Sequence, residues 1–168
     1  ILEDPGTPLS LGMVGAHASF TLSDASLDRL AEMVRDARAS LHIHVAEDRA
    51  DVEDCRARHG VLLVERLARH GLLRPRTILA HGVHLSETEL LEAQAAGAWI
   101  AHNPRSNMNN GVGQAPTRAF RRAALRITGR ARFTQRLRFL VRQDLSGAHR
   151  GLRRLLDDKA GEIEVFNR

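Results

Sequence analysis

Ser40-Leu41-His42-Ile43-His44-Val45-Ala46-Glu47-Asp48 is the stretch on which the fold turns. Ser40 to Ala46 is an extended, β-branched pattern, and residues two apart on a strand point to the same face, so His42 and His44 share a side. Downstream, residues 49–70 read as helix with a break near Gly60 and a stop at Gly71. Thr77 to Gly82 is the next strand, and Ser86-Glu87-Thr88-Glu89 is a capping box opening a helix that Gly97 ends. Ala98 to Asn103 reads as a further strand, closed by Pro104. Upstream, Ser23 or Asp24 caps a helix whose Leu27, Leu30, Val34 and Ala37 form one apolar stripe. Before it, residues 11–20 are a short apolar run punctuated by glycine. Strand and helix in alternation predict an α/β fold with parallel strands and covering helices, either a doubly wound sheet or part of a (β/α)8 barrel. A complete barrel needs roughly 250 residues. The 168 residues of this chain supply about half of one.

Composition bounds the function classes. With 43% apolar and 27% charged residues the chain is globular rather than disordered. No apolar run approaches the ~20 residues of a membrane-spanning helix. Cys55 is the only cysteine, which excludes an intramolecular disulfide and a Cys-based zinc finger and suits a reducing, cytoplasmic compartment. The opening Ile-Leu-Glu-Asp-Pro-Gly lacks an initiator Met and a signal-peptide core, and it reads like the interior of a longer protein.

Four of the predicted strands deliver an imidazole near their carboxyl ends: His17, His44 with Glu47, His81, and His102 followed by Asn103. In parallel α/β folds those ends share one rim, where ligands bind. Any one of these histidines alone reads as a hydrogen-bonded core residue. Four on one rim point to a site. His42 and His44 together could chelate one ion, or one of them could pack against a neighbouring strand. Glu47 is placed to take a proton from an activated water and deliver it to a leaving group, although a solvated loop acid fits it equally. Asp48, Asp51, Glu53 and Asp54 read as solvated acids at a helix start. His59, His70 and His84 carry no assigned role, and Cys55 reads as a small helix-face residue.

The segments Gly12 to Asp24, His42-Ile-His44-Val-Ala-Glu47-Asp, Ala80-His81-Gly-Val-His-Leu and His102-Asn-Pro-Arg-Ser-Asn107-Met-Asn-Asn-Gly-Val-Gly occur in order. Together they resemble the second half of the catalytic barrel of the amidohydrolase superfamily, in the branch of guanine, S-adenosylhomocysteine and triazine deaminases. The resemblance covers about residues 10–116. It implies strands four to seven of a (β/α)8 barrel. His44 would be the metal ligand of the fifth strand, and Glu47 the proton shuttle. His81, from the sixth strand, would contact the activated water or steady the oxyanion. His17 would reach the substrate, while Asn103 and Asn107 would shape the loop after strand seven. The implied reaction is hydrolytic deamination of an amidine-like carbon in a small nitrogen heterocycle, with a divalent metal, zinc ahead of iron or manganese. The resemblance also implies a strand-one His-x-His upstream of Ile1 and a strand-eight Asp. Neither is found in these residues, so the chain by itself is expected to bind metal weakly and to be inactive. Homo-oligomerisation fits the parent enzyme.

Charge divides the chain. Residues 1–117 carry 11 Arg against 15 acids, whereas residues 118–168 carry 13 Arg and Lys159 against 5 acids. A partial barrel over 1–116 and a basic segment over 117–168 are therefore expected as separate parts. Phe120, Leu125, Ile127, Phe133, Leu137, Leu140 and Val141 suit an amphipathic basic helix. The competing readings of that segment are a nucleic-acid-binding arm, a solvated tail, and a stretch translated out of frame. Nucleic-acid binding ranks below the frame reading, because no recognisable motif and few aromatic residues accompany the arginines.

Overall fold

The structure, a computed structural model, describes residues 12–128. Five strands form one parallel sheet in sequential order: β1 (Met13–Gly15), β2 (Ser40–Val45), β3 (Ile78–His81), β4 (Trp99–Ala101) and β5 (Arg126–Thr128). Sequential order with every neighbour parallel is the strand arrangement of a (β/α)8 barrel wall, and it requires a crossover between each pair. The crossovers are α1 (Asp24–Asp36), α2 (Arg49–His59) with α3 (Leu63–Arg69), α4 (Glu87–Ala95), and α5 (Pro104–Asn109) with α6 (Thr117–Arg122).

Local chemistry sets these boundaries. The Ser23 side chain caps α1 by accepting from the Ser26 amide at 3.2 Å. Ser86 and Glu89 form the expected capping box on α4. Gly60 adopts φ +68° after α2 and divides the 49–70 segment into two helices. Gly82 has φ +61°, and a Cβ there would stand 3.2 Å from Leu85 Cδ1 and 3.3 Å from Phe120 Cζ, so both backbone and packing demand glycine.

The two faces of the sheet differ. Leu41, Ile43, Val45, Leu79 and Ile100 are fully buried under the helices, against Leu27, Val34, Leu63, Val64, Leu67, Leu90 and Phe120. On the other face, register aligns Gly15 with His42, His42 with Ile78, His44 with Ala80, and Ala80 with Ala101. His42, His44, Ile78 and Trp99 on that face are only half-buried. This is the face that a barrel turns to its lumen.

Three local expectations are corrected. The apolar run over residues 11–20 forms a strand only at Met13–Gly15, and Ser19–Thr21 form a 3₁₀ turn. Pro104 does not merely close β4. It is the first residue of α5, where a missing N–H costs nothing. The strand–helix alternation also runs past residue 116, since α6 and β5 follow it within the compact unit that ends at Thr128. Phe120, fully buried, and Leu125, 6% exposed, anchor that extension beneath an arginine-rich composition. Strand β5 also interrupts the basic helix read from residue 118 onward. The remainder of the Arg-rich stretch lies outside the described residues. Among the described residues, no helix is long and apolar enough to cross a membrane.

Candidate active site

The site forms where β2 and β3 end. His44 occupies the penultimate position of β2 and His81 the last of β3, and their ring centroids lie 5.0 Å apart. Both strands then turn through left-handed backbone at non-glycine residues, φ +49° at Ala46 and φ +74° at His81. Such conformations are strained and persist where surroundings enforce them. Here the ladder holds them, with Gly82 N bonded to Val45 O and His84 N to Ala46 O, each at 3.0 Å. The turn at Ala46 brings Glu47 back over the rim. Glu47 Oε2 lies 3.4 Å from His81 Nε2 and 3.9 Å from His44 Nδ1.

His44, Glu47 and His81 present ligand atoms within 4.8 Å of one another, the one such cluster of three among the described residues. Burial, reinforced by the neighbouring His81, pushes the His44 imidazole down to about 4, against the pull of Glu47. His44 is therefore neutral at physiological pH, the form in which an imidazole ligates a metal. Two imidazoles and one carboxylate are a donor set suited to zinc. On this chemistry the residues present fit a divalent cation.

The remaining expected residues fall around this centre. His17 lies just past β1, exposed, with its ring centroid 5.5 Å from that of His44 and Nδ1 3.3 Å from Thr21 Oγ1. His42 sits 6.0 Å from His44 by ring centroid, and burial lowers its pKa. His102 follows β4. Its pKa is lowered by burial, and its Nδ1 is buried with no partner among the described residues. Asn103 precedes α5, and its carbonyl accepts from the Asn107 amide at 3.0 Å. The Asn107 side chain reaches the centre itself, with Oδ1 2.8 Å from His81 Nδ1.

Three contributors were not legible in the sequence. Asn110 donates through Nδ2 to Glu47 Oε1 at 3.0 Å, leaving Oε2 for the imidazoles. Asp51, read as a solvated helix-start acid, is instead 1% exposed, and it accepts from the Ala46 amide at 2.8 Å and the Phe20 amide at 3.2 Å. It thereby braces the strained turn before Glu47 against the loop after His17. Arg66 is 2% exposed and donates to Ser19 O, Ser19 Oγ, Leu22 O and Asp24, fastening the same loop to α3. His84, given no role, binds the Val112 carbonyl at 3.0 Å through Nε2 and so tethers the segment that follows α5.

Comparison with known proteins gives a consistent result. Residues 2–126 match the model of the Amidohydrolase family. A 5-methylthioadenosine/S-adenosylhomocysteine deaminase of Desulforudis audaxviator is 33% identical over 115 residues, 68% of this chain and 27% of that protein. Among solved structures, an adenosine deaminase from Xanthomonas campestris with bound zinc superposes with a TM-score of 0.68 at 29% identity, over 73% of this chain and 28% of its own. The atrazine chlorohydrolase TrzN from Arthrobacter aurescens, complexed with zinc, superposes with a TM-score of 0.58 at 28% identity, over 62% of this chain and 23% of its own. The chain thus spans about a quarter of the length of the curated relatives it matches.

Proposed function

Because this chain belongs to the amidohydrolase family, we propose that it forms the part of a metal-dependent aminohydrolase barrel that moves the proton and steadies the reacting oxygen during hydrolytic deamination. The single observation that carries this reading is the convergence of His44, Glu47 and His81 at the carboxyl ends of adjacent strands. A ring carbon bearing an amino group next to a ring nitrogen is the substrate chemistry proposed, and the adenosine-type deaminases among the relatives support a purine nucleoside.

His44 would hold the cation, with His81 and Glu47 facing it. A bound divalent cation supplies a water whose pKa is lowered toward neutrality. Glu47 receives the proton at Oε2, the oxygen that Asn110 leaves open, and delivers it to the departing amino nitrogen. His81 Nε2, beside Oε2, would accept a hydrogen bond from the activated water and orient it toward the ring carbon. His17 stands outside this trio, where it would meet the substrate rather than the reacting atoms. Zinc is the proposed metal, supported by zinc in two of the structural relatives. A reducing, cytoplasmic setting belongs to the same proposal and rests on the lone, buried thiol of Cys55.

The test is zinc-dependent ammonia release from 5′-methylthioadenosine or S-adenosylhomocysteine by the protein carrying this sequence. Deamination lowered ~10²-fold or more by Glu47→Gln supports the reading. Turnover undiminished in Glu47→Gln, or a zinc-loaded protein inert toward amino-heterocycles, overturns it.

A further inference from the structure

Asn107 is 1% exposed, yet among the described residues its side chain has one hydrogen-bond partner, the His81 ring. Its Nδ2 is buried with no partner among the described residues. A buried amide with half its capacity unused is unfavourable, so an apolar residue would suit the position better unless the bond to His81 matters. Loop shape does not require the side chain. The backbone already fixes this residue, its amide donating to Asn103 O at 3.0 Å and its carbonyl accepting from Val112 N at 3.1 Å.

We propose that Asn107 is a positioning residue that sets the tautomer of His81. By accepting from Nδ1–H it keeps the ring proton on that nitrogen and leaves the Nε2 lone pair facing Glu47. A neutral imidazole carries one ring proton, and the bond made at one nitrogen decides what the other can offer. With Nε2 bare, it and Glu47 Oε2 are two acceptors facing one another at 3.4 Å, with His44 Nδ1 3.9 Å from the same oxygen. Such a cluster is complete only with a proton or a cation between its members. The opposite tautomer would place a hydrogen in that space and spend Nε2 on Glu47. The functional meaning of this device rests on the reading of His81 and Glu47 given above, whereas the tautomer itself does not.

The experiment is ¹⁵N-resolved imidazole NMR on the full chain, at a pH where the rings are neutral, since couplings to the ring protons report which nitrogen is protonated. The expected wild-type result is His81 protonated at Nδ1. Asn107→Asp keeps an acceptor in place and retains that tautomer, whereas Asn107→Leu releases His81 to a mixture rich in the Nε2–H form. A wild-type ring protonated at Nε2 overturns the proposal, because Asn107 then donates through Nδ2. An unchanged tautomer in Asn107→Leu overturns it equally. Should the leucine variant fail to fold, the wild-type and aspartate spectra decide alone. Adding Zn²⁺ to the same wild-type sample separates the two claims. Unmoved His44 and His81 resonances undo the metal-site reading and leave the tautomer result standing.

Discussion

Arg66 on α3 donates through Nη1 to the Ser19 carbonyl at 3.0 Å, joining residues 47 apart in sequence and fastening the helical layer to the loop that carries His17. The same guanidinium serves Ser19 Oγ, Leu22 O and Asp24 Oδ1. Arg66→Met leaves buried carbonyls without a donor and Asp24 without its cation. Breaking a buried charge network of this kind costs about 3–5 kcal/mol. Asp24→Asn keeps an oxygen for Arg66 and leaves its bonds to Ser19 and Leu22 in place, so it should cost less than Arg66→Met. Urea denaturation of both variants checks the contrast, and equal losses would mean that the arginine acts only through its ion pair.

Asp51 makes stability depend on pH. Burial pushes its carboxyl up to about 6 from the usual 3.8, despite bonds from the Ala46 and Phe20 amides that favour the charged form. Between those values the folded chain binds more protons than the unfolded one. The contribution is therefore fully present below pH 3.8 and is lost as pH rises through about 6. A shift of this size corresponds to ~3 kcal/mol. Asp51→Asn should flatten the stability profile across that window, as read by urea midpoints at several pH values. A variant profile parallel to wild type would place the titrating group elsewhere.

Gly60 and Gly82 share left-handed backbone but differ in surroundings. Alanine at Gly60 meets nothing within 4 Å, so Gly60→Ala carries only the backbone penalty of about 1 kcal/mol. Alanine at Gly82 adds crowding against Leu85 and Phe120, which raises the expected loss to ~2–4 kcal/mol. Thermal or urea unfolding of the pair separates the two effects, and matched losses would show that Leu85 and Phe120 give way freely.

Asn110 and Glu47 separate orientation from chemistry. Glu47→Gln removes the ionisable group and should lower turnover by ~10²–10⁴-fold. Asn110→Ala leaves the carboxylate in place but frees it to rotate, so a smaller loss of ~10-fold in kcat is expected, with KM little changed. A fall in substrate affinity instead would mean that Asn110 contacts substrate.

The sequence reading reached the α/β class, the parallel order and the strand ends bearing His44 and His81, because apolar alternation, caps and glycine stops are local signals. It did not reach Arg66, Asp51 or Asn110. Each carries a residue type common on surfaces, and each acts through partners far away in sequence or on a different element. The basic segment read as one helix from residue 118 onward, and local spacing did not reveal that α6 is short, buries Phe120 and gives way to β5 at Arg126. Asn107 was visible as part of a loop motif, but its bond to His81 depends on how α5 lies over β3.

The most direct test of the shared centre is Zn²⁺ titration of the chain, followed through its imidazole resonances. Convergence of His44, Glu47 and His81 predicts that the His44 and His81 rings shift together as one ion binds, even weakly, and that His44→Ala abolishes the response. Zinc shifts confined to His59, His70 or His84, with His44 unmoved, would contradict it.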